Sequence, residues 1–183
     1  MHYSAELQKQ MLQLARSAIA SHLNIEPLIS CEAEQLNENG ASFVTLTKNG
    51  NLRGCIGSLQ ASRPLQEDIV QNALAAAFRD PRFRPLTSSE LPLVTIEVSV
   101  LTEPEAVSFN STEELFSLIR PDVDGVIIEK GYHRATFLPQ VWLQLPTHPQ
   151  FFSHLLQKAA LPEDTPLTDL TVQRYQVEKF TEH

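Results

Sequence analysis

Asn49-Gly50 stands between two runs of strand-forming residues, "SFVTLT" and "NLRGCIGSL". An Asn-Gly pair in that setting is the strongest short-range signal for an antiparallel hairpin, because both loop positions need positive φ. The apolar period then changes from strand-like to helical. "PLQEDIVQNALAAAF" sets Leu65, Ile69, Val70, Ala73, Leu74, Ala77 and Phe78 on one helical face, with Pro64 suited to the first turn. A hairpin followed directly by an amphipathic helix points to an α+β fold.

The flanking segments fit that frame. "SAELQKQMLQLARSAIASHLN" spaces Leu7, Met11, Leu14, Ala15, Ala18 and Ile19 as an amphipathic helix with Ser4 as its N-cap. "LVTIEVSVL" alternates Val94, Ile96, Val98 and Val100 with Thr95, Glu97 and Ser99, a half-buried strand. Asn110 or Ser111 caps a short helix, "TEELFSLI", and "GVIIEKGYHRATFLP" reads as a second hairpin. A second amphipathic segment, "PQFFSHLLQKAAL", and one closing strand, "TVQRYQVEKF", complete the chain. Setting Gly50 on Gly131 brings Arg53 onto Arg134 and Cys55 onto Thr136 at an offset of 81 residues. An old duplication and chance agreement of common elements both account for this. The expectation is a single domain, 1–183, with structural halves of about 1–108 and 109–183, each a hairpin, a helix and a strand.

Charge narrows the function classes. The formal net charge is −8, yet Lys48, Arg53, Arg63, Arg79, Arg82 and Arg84 against Glu67, Asp68 and Asp80 give residues 48–84 a charge of +3 and leave −11 elsewhere. That balance disfavours nucleic acid as a partner. No window approaches the ~20 apolar residues of a membrane span, and the N-terminus lacks a signal-peptide pattern, so a cytoplasmic protein is expected. Cys31 and Cys55 form no CxxC pair, and a reducing compartment keeps them as thiols.

The chemistry concentrates at "KNGNLRGCIGSL". On an unbroken strand Arg53 and Cys55 share one face, with Leu52 and Ile56 on the other. A guanidinium beside a thiol favours the thiolate, the nucleophilic form. Gly54 and Gly57 remove side chains around the cysteine and mark a bulge or the close approach of another backbone or a ligand. The bland reading stands beside this one: a cysteine next to Ile56 is by default a small hydrophobe in a core. Glu97 is either a solvated strand residue or an acid or base opposite the cysteine. Arg79, Arg82 and Arg84, joined by Arg53, form an anion site with Arg82 foremost, or else Arg79 and Arg82 pair with Asp80 and cap the helix carbonyls. His2, His22, His133, His148, His154 and His183 show no metal-ligand spacing, and no cofactor motif is present.

"LRGCIG", together with "DPRF", "LPLVTIEVSVLTEPE", "DGVIIE" and "RATFLPQVW" in that order, resembles the AMMECR domain family, the AmmeMemoRadiSam system protein A group of prokaryotes. The resemblance runs from the first helix to the last strand. It implies an α+β fold with a single barrel-like, mostly antiparallel sheet flanked by helices and built of two related halves. It also implies association with a Memo-type protein and a radical S-adenosylmethionine protein. No established reaction comes with it. Carried over residue by residue is an active or binding site at Leu52, Arg53, Gly54, Cys55, Ile56 and Gly57. Two departures are visible: "LQLPTHPQFF" follows "LPQVW" in place of an acidic, Gly-Trp-containing stretch, and "KAAL" at 158–161 replaces "KAGL". The sequence thus supports two function classes. One uses Cys55 and Arg53 catalytically on a small anionic substrate; the other is a non-catalytic binding or adaptor module.

Overall fold

The computed structural model describes residues 3–183, which form two compact units. The first unit runs through Leu101 and takes up the chain again at Glu178–His183; the second is Thr102–Val177. The last residues, expected in a second half, therefore belong with the first unit.

The first unit contains α1 (Ala5–His22), β1 (Asn39–Lys48), β2 (Asn51–Gly57), the short β3 (Arg63–Pro64), α2 (Leu65–Phe78) and β4 (Val94–Leu101). Ser4 caps α1 as expected, its hydroxyl accepting from the Leu7 N–H at 3.2 Å. Asn49 and Gly50 carry φ of 54° and 78°, the paired positive values that a two-residue Asn-Gly loop supplies. The sheet order is β2-β1-β4-β9, with β3 pairing the start of β1. Alternation along β1 and β4 sends Val44, Leu46, Ile96 and Val98 into a core shared with Met11, Leu14 and Ile19 of α1 and Ile69 and Ala73 of α2. The opposite face carries Thr45, Thr47, Glu97 and Ser99, all half-buried.

The second unit holds β5 (Glu105–Ala106), α3 (Thr112–Leu118), β6 (Gly125–Lys130), β7 (His133–Phe137), α4 (His148–Lys158) and β8 (Thr171–Tyr175). Its sheet order is β5-β8-β6-β7. Ser111, not Asn110, caps α3. Val126 and Ile128 pack with Trp142, Phe151, Phe152 and Leu155 in a separate core.

Both sheets are antiparallel, but among the described residues the strands make two sheets where a single barrel-like one was expected, and neither closes. The reason lies in the last run of strand-forming residues. "TVQRYQVEKF" breaks at Gln176, whose N–H donates to Thr102 Oγ1 and whose carbonyl accepts the Thr102 N–H, both at 2.8 Å. β8 before the break pairs with β6, and β9 (Val177–Thr181) after it joins β4. One stretch of sequence thus serves two sheets. Among the described residues, no helix is long and apolar enough to cross a membrane.

Candidate functional site

Cys55 lies on β2, the edge strand of the first sheet, opposite Thr45. The alternation that would align Arg53 with Cys55 is interrupted. Leu52 pairs with Thr47 and Gly54 with Leu46, so Arg53 is the extra residue of a β-bulge. Leu52 therefore falls on the Thr45–Cys55 face, and Ile56 alone goes to the core as expected.

Arg53 and Cys55 engage different neighbours. The Arg53 guanidinium donates through Nε to Glu90 at 2.9 Å and through Nη2 to Glu90 and to the Arg84 carbonyl at 3.2 and 2.8 Å. Lys48 reaches the same carboxylate at 3.2 Å. The Arg53 hydrogen bonds, aided by Lys48 and by the Thr87 N–H, hold the Glu90 carboxyl down at about 2 against the opposing effect of burial. Arg53 Nη1 is buried and among the described residues lacks a hydrogen-bond partner, and the guanidinium carbon lies 5.9 Å from the centre of the Phe83 ring.

Cys55 is half-buried, and its Sγ is 3.1 Å from Thr45 Oγ1. Its main chain faces away from β1 and is gripped by the loop after α2. The Cys55 N–H donates to Asp80 Oδ2 at 3.0 Å, and its carbonyl accepts from Arg82 Nη2 at 3.4 Å. Because both main-chain groups point outward, Thr45 and Cys55 form a pair without ladder bonds, the geometry that brings side chains closest. Asp80 also takes the Arg82 main-chain N–H, Nε and Nη2. The Arg82 hydrogen bonds, joined by the Cys55 N–H and outweighing burial, hold the Asp80 carboxyl far below the usual carboxylate range. Arg82 in turn is raised, first by Asp80. The Asp80–Arg82 pair read from the sequence is present, but it caps a strand edge, whereas Arg79 reaches the Gln71 carbonyl of α2 and does not pair with Asp80 among the described residues.

The two glycines have packing reasons. A Cβ on Gly54 would lie 2.1 Å from the Ala76 carbonyl oxygen, so α2 rests directly on the strand there. A Cβ on Gly57 would overlap the Phe43 ring at 2.2 Å. Just past β2, buried Asp68 accepts from Ser42, Ser58, Arg63 and Asn72, a satisfied polar network that ties α2 to β1. Glu97 lies opposite Thr45 on β4 and accepts from Thr181 Oγ1 at 3.1 Å. Cys55, Thr45, Glu97 and Thr181 thus form one polar row across the sheet. At the usual strand spacing, Glu97 lies ~10 Å from Cys55 with Thr45 between them.

Among the described residues, Cys55 has no histidine partner. His22 stacks on Phe78, His133 meets the Ala159 carbonyl, His148 the Ile119 carbonyl and His154 the Gln150 carbonyl. His2 lies outside the described residues. No three His, Cys, Asp or Glu side chains among those described are grouped as a metal site requires. Sequence reasoning missed Thr45 and Glu90 and did not connect Asp80 with Cys55. The buried acid of "DPRF" was its one visible signal.

A family model described as AMMECR1 matches residues 12–180. A protein of Methanothermobacter thermautotrophicus is 37% identical, covering 95% of this chain and 93% of its own length. A protein of Methanocaldococcus jannaschii is 35% identical over 93% of this chain and 88% of its own. The crystal structure of an uncharacterised protein from Pyrococcus horikoshii superposes with a TM-score of 0.79 at 34% identity, covering 98% of this chain and 93% of that one.

Proposed function

This chain belongs to the AMMECR1 family, and on that premise we propose that Cys55 is its functional centre, a thiol that binds or reacts with a small ligand in the cytoplasm. One observation carries the reading. Cys55 is held from both sides, its main chain by Asp80 and Arg82 and its Sγ by Thr45, while the residue stays half-exposed. A structural cysteine needs burial; it does not need an anchored main chain at a partly open strand edge. Glu97, on the same polar row, is the acid or base within reach of a ligand seated over Thr45. Arg53 and Arg82 each have a carboxylate partner, so an anionic group on the ligand draws on the exposed Arg79 and Arg84 as well as the outer edge of Arg82.

Alkylation of Cys55 against pH, with function scored by rescue of a deletion strain, tests this. A thiol more reactive at neutral pH than free cysteine, with Cys55→Ala failing to rescue, is expected. An inert thiol, or one titrating at or above ~8.5, counts against it.

A second reading, a binding or adaptor module working with Memo-type and radical S-adenosylmethionine proteins, is favoured by a different observation. Arg53, Gly54 and Gly57 are already used in packing, while Leu52 and Leu59 at either end of the motif are 43% and 44% exposed. It requires that Cys55→Ser keep partner capture and that charge reversal at Arg53 or Arg82 abolish it. The common order of hairpin, helix and third strand in both units supports reading the halves as related.

A further inference from the structure

Asp80 and Arg82 meet Cys55 as a pair of opposite charges. Asp80 Oδ2 binds both the Cys55 N–H and Arg82 Nη2, and that same Nη2 reaches the Cys55 carbonyl. The Asp80 side chain is 2% exposed and the Arg82 side chain 54%. Of the other charges near β2, Arg79 and Arg84 in the loop after α2 are exposed to solvent. Arg53 on the same strand is neutralised by Glu90, with Lys48 on β1 sharing that carboxylate; Asp68 beyond the strand end is paired with Arg63; Glu97 lies past Thr45. Where α2 touches the strand, at Gly54, the contact is the uncharged Ala76 main chain.

The second unit offers a control position. Cys55 pairs with the residue three before Lys48 at the hairpin end, and Thr136 pairs with Ile127, three before Lys130. The Thr136 carbonyl also accepts from a cation after the strand, Lys158 Nζ at 2.8 Å. Among the described residues, however, no carboxylate binds the Thr136 N–H. A cation on the carbonyl is common to both positions; the carboxylate accompanies only the cysteine.

We infer that the Asp80–Arg82 pair is a charge balance that regulates Cys55, Arg82 favouring the thiolate and Asp80 opposing it, while their hydrogen bonds keep the strand edge in place. The inference rests on Cys55 being the functional centre. It differs from a purely mechanical clip in its signs. Asp80→Asn leaves Arg82 unopposed at the Cys55 main chain and raises the ionised fraction of the thiol. Arg82→Gln leaves Asp80 unopposed and lowers it. A loosened strand would shift both variants in the same direction.

The test is the rate of alkylation of Cys55 by iodoacetamide, a neutral reagent, in the full chain at neutral pH, read by mass of the Cys55 peptide. Asp80→Asn is expected to react on the order of threefold to tenfold faster than wild type at low salt and Arg82→Gln slower by a similar factor. The double variant is expected to return to within about twofold of wild type, and all differences should shrink in 1 M salt, where the screening length is ~3 Å. Both single variants moving the same way, or neither moving, overturns the inference. Should Asp80→Asn not fold, the exposed Arg82 carries the test alone: Arg82→Glu must react more slowly than Arg82→Gln, and equal rates overturn the proposal. Opposite shifts combined with full rescue by Cys55→Ser would leave the charge balance standing and remove Cys55 as the functional centre.

Discussion

The β1–β2 hairpin and the β6–β7 hairpin are built alike and finished differently. In each, the second strand is a sheet edge, the first is central, and the strand after the following helix pairs with that central strand. Counting from the turn, Leu52 matches Arg134, Gly54 matches Ala135 and Cys55 matches Thr136. Arg53 has no counterpart, because it is the bulge residue. The offset of 81 residues read from the sequence thus aligns Cys55 with Thr136 but not Arg53 with Arg134. Gly50 is the second loop residue of its turn and Gly131 the first, and the bulge takes up that slip of one. The first hairpin thus differs from the second by one bulged arginine, a glycine that lets the helix approach closely and a carboxylate on the edge.

Gly54 and Ala135 test this most severely. Alanine at 54 drives a methyl into the Ala76 carbonyl oxygen, main chain that cannot turn aside, whereas the second unit already accommodates a methyl at the matching position. Gly54→Ala should lower unfolding free energy by about 3 kcal/mol, the upper end for overpacking. Ala135→Gly should cost only about 1 kcal/mol. Urea unfolding of the two variants gives the comparison, and equal losses would mean that the hairpins do not differ in how closely the helix approaches.

Acid titration separates the two arginines. Glu90 sits near 2 in the folded protein, against an ordinary value of ~4.3. A depressed carboxyl contributes stability that is complete above its unfolded value and disappears as pH falls through the folded one. Wild type should therefore lose stability between about pH 4.5 and 2, and Glu90→Gln should lose less over that window, by about 1 kcal/mol after solvent screening. Some acid sensitivity should persist in Glu90→Gln, because Asp80 is depressed as well. Glu129, the cross-strand neighbour of Arg134, is exposed, so Glu129→Gln should leave the curve within ~0.5 kcal/mol of wild type throughout.

Elements with strong local periodicity were legible. The Asn49-Gly50 turn, the apolar faces of α1 and α2 and the alternation of β4 all follow from nearest-neighbour physics. The glycines allowed a bulge, but its place was not legible, because Leu52, Arg53 and Gly54 look the same in sequence whichever of them is extra. Only pairing with Leu46 and Thr47 decides it. The partners of Arg53 and Cys55 lie 37 and 25 residues away, at Glu90 and Asp80, and such pairings are set by how the 79–90 loop folds back on the sheet edge. The break at Gln176 escaped for a related reason: local composition favours strand on both sides, and the Thr102 that bonds to Gln176 at the break is 74 residues away.

A thiol moved to the other hairpin isolates the effect of the Asp80 carboxylate. Thr136→Cys keeps the main-chain cation Lys158 and loses a hydroxyl that lies 3.0 Å from the Tyr175 hydroxyl. The expected loss is about 1 kcal/mol, a typical neutral hydrogen bond. Its alkylation rate should be indifferent to Asp80→Asn, since no carboxylate among the described residues bonds to that main chain. A rate at position 136 that follows the Asp80 variant would show that the sensitivity is a general property of the fold, not of the Cys55 edge.

The smallest effect concerns the helices that follow the two hairpins. α2 ends at Arg79 with φ of −129°, a conformation open to any residue, and its next carbonyls are met by the 79–86 loop. α4 ends differently: Ala160 has φ of 60°, the Ala160 N–H bonds to Gln157 O, and the Leu161 N–H bonds back to Leu156 O at 2.9 Å, a reverse-turn cap of the kind that usually takes glycine. This is the position at which "KAAL" departs from "KAGL". An L-residue pays roughly 1–2 kcal/mol for that backbone region, and glycine loses about 0.5–1 kcal/mol more chain entropy on folding. The difference favours glycine by about 0.5 kcal/mol, and the exposed Ala160 methyl has little packing to lose. Ala160→Gly should therefore raise the urea midpoint at unchanged slope, while Arg79→Gly after α2, where φ is negative, should lower it. A lowered midpoint for Ala160→Gly would mean that its methyl is part of the packing that distinguishes α4 from α2.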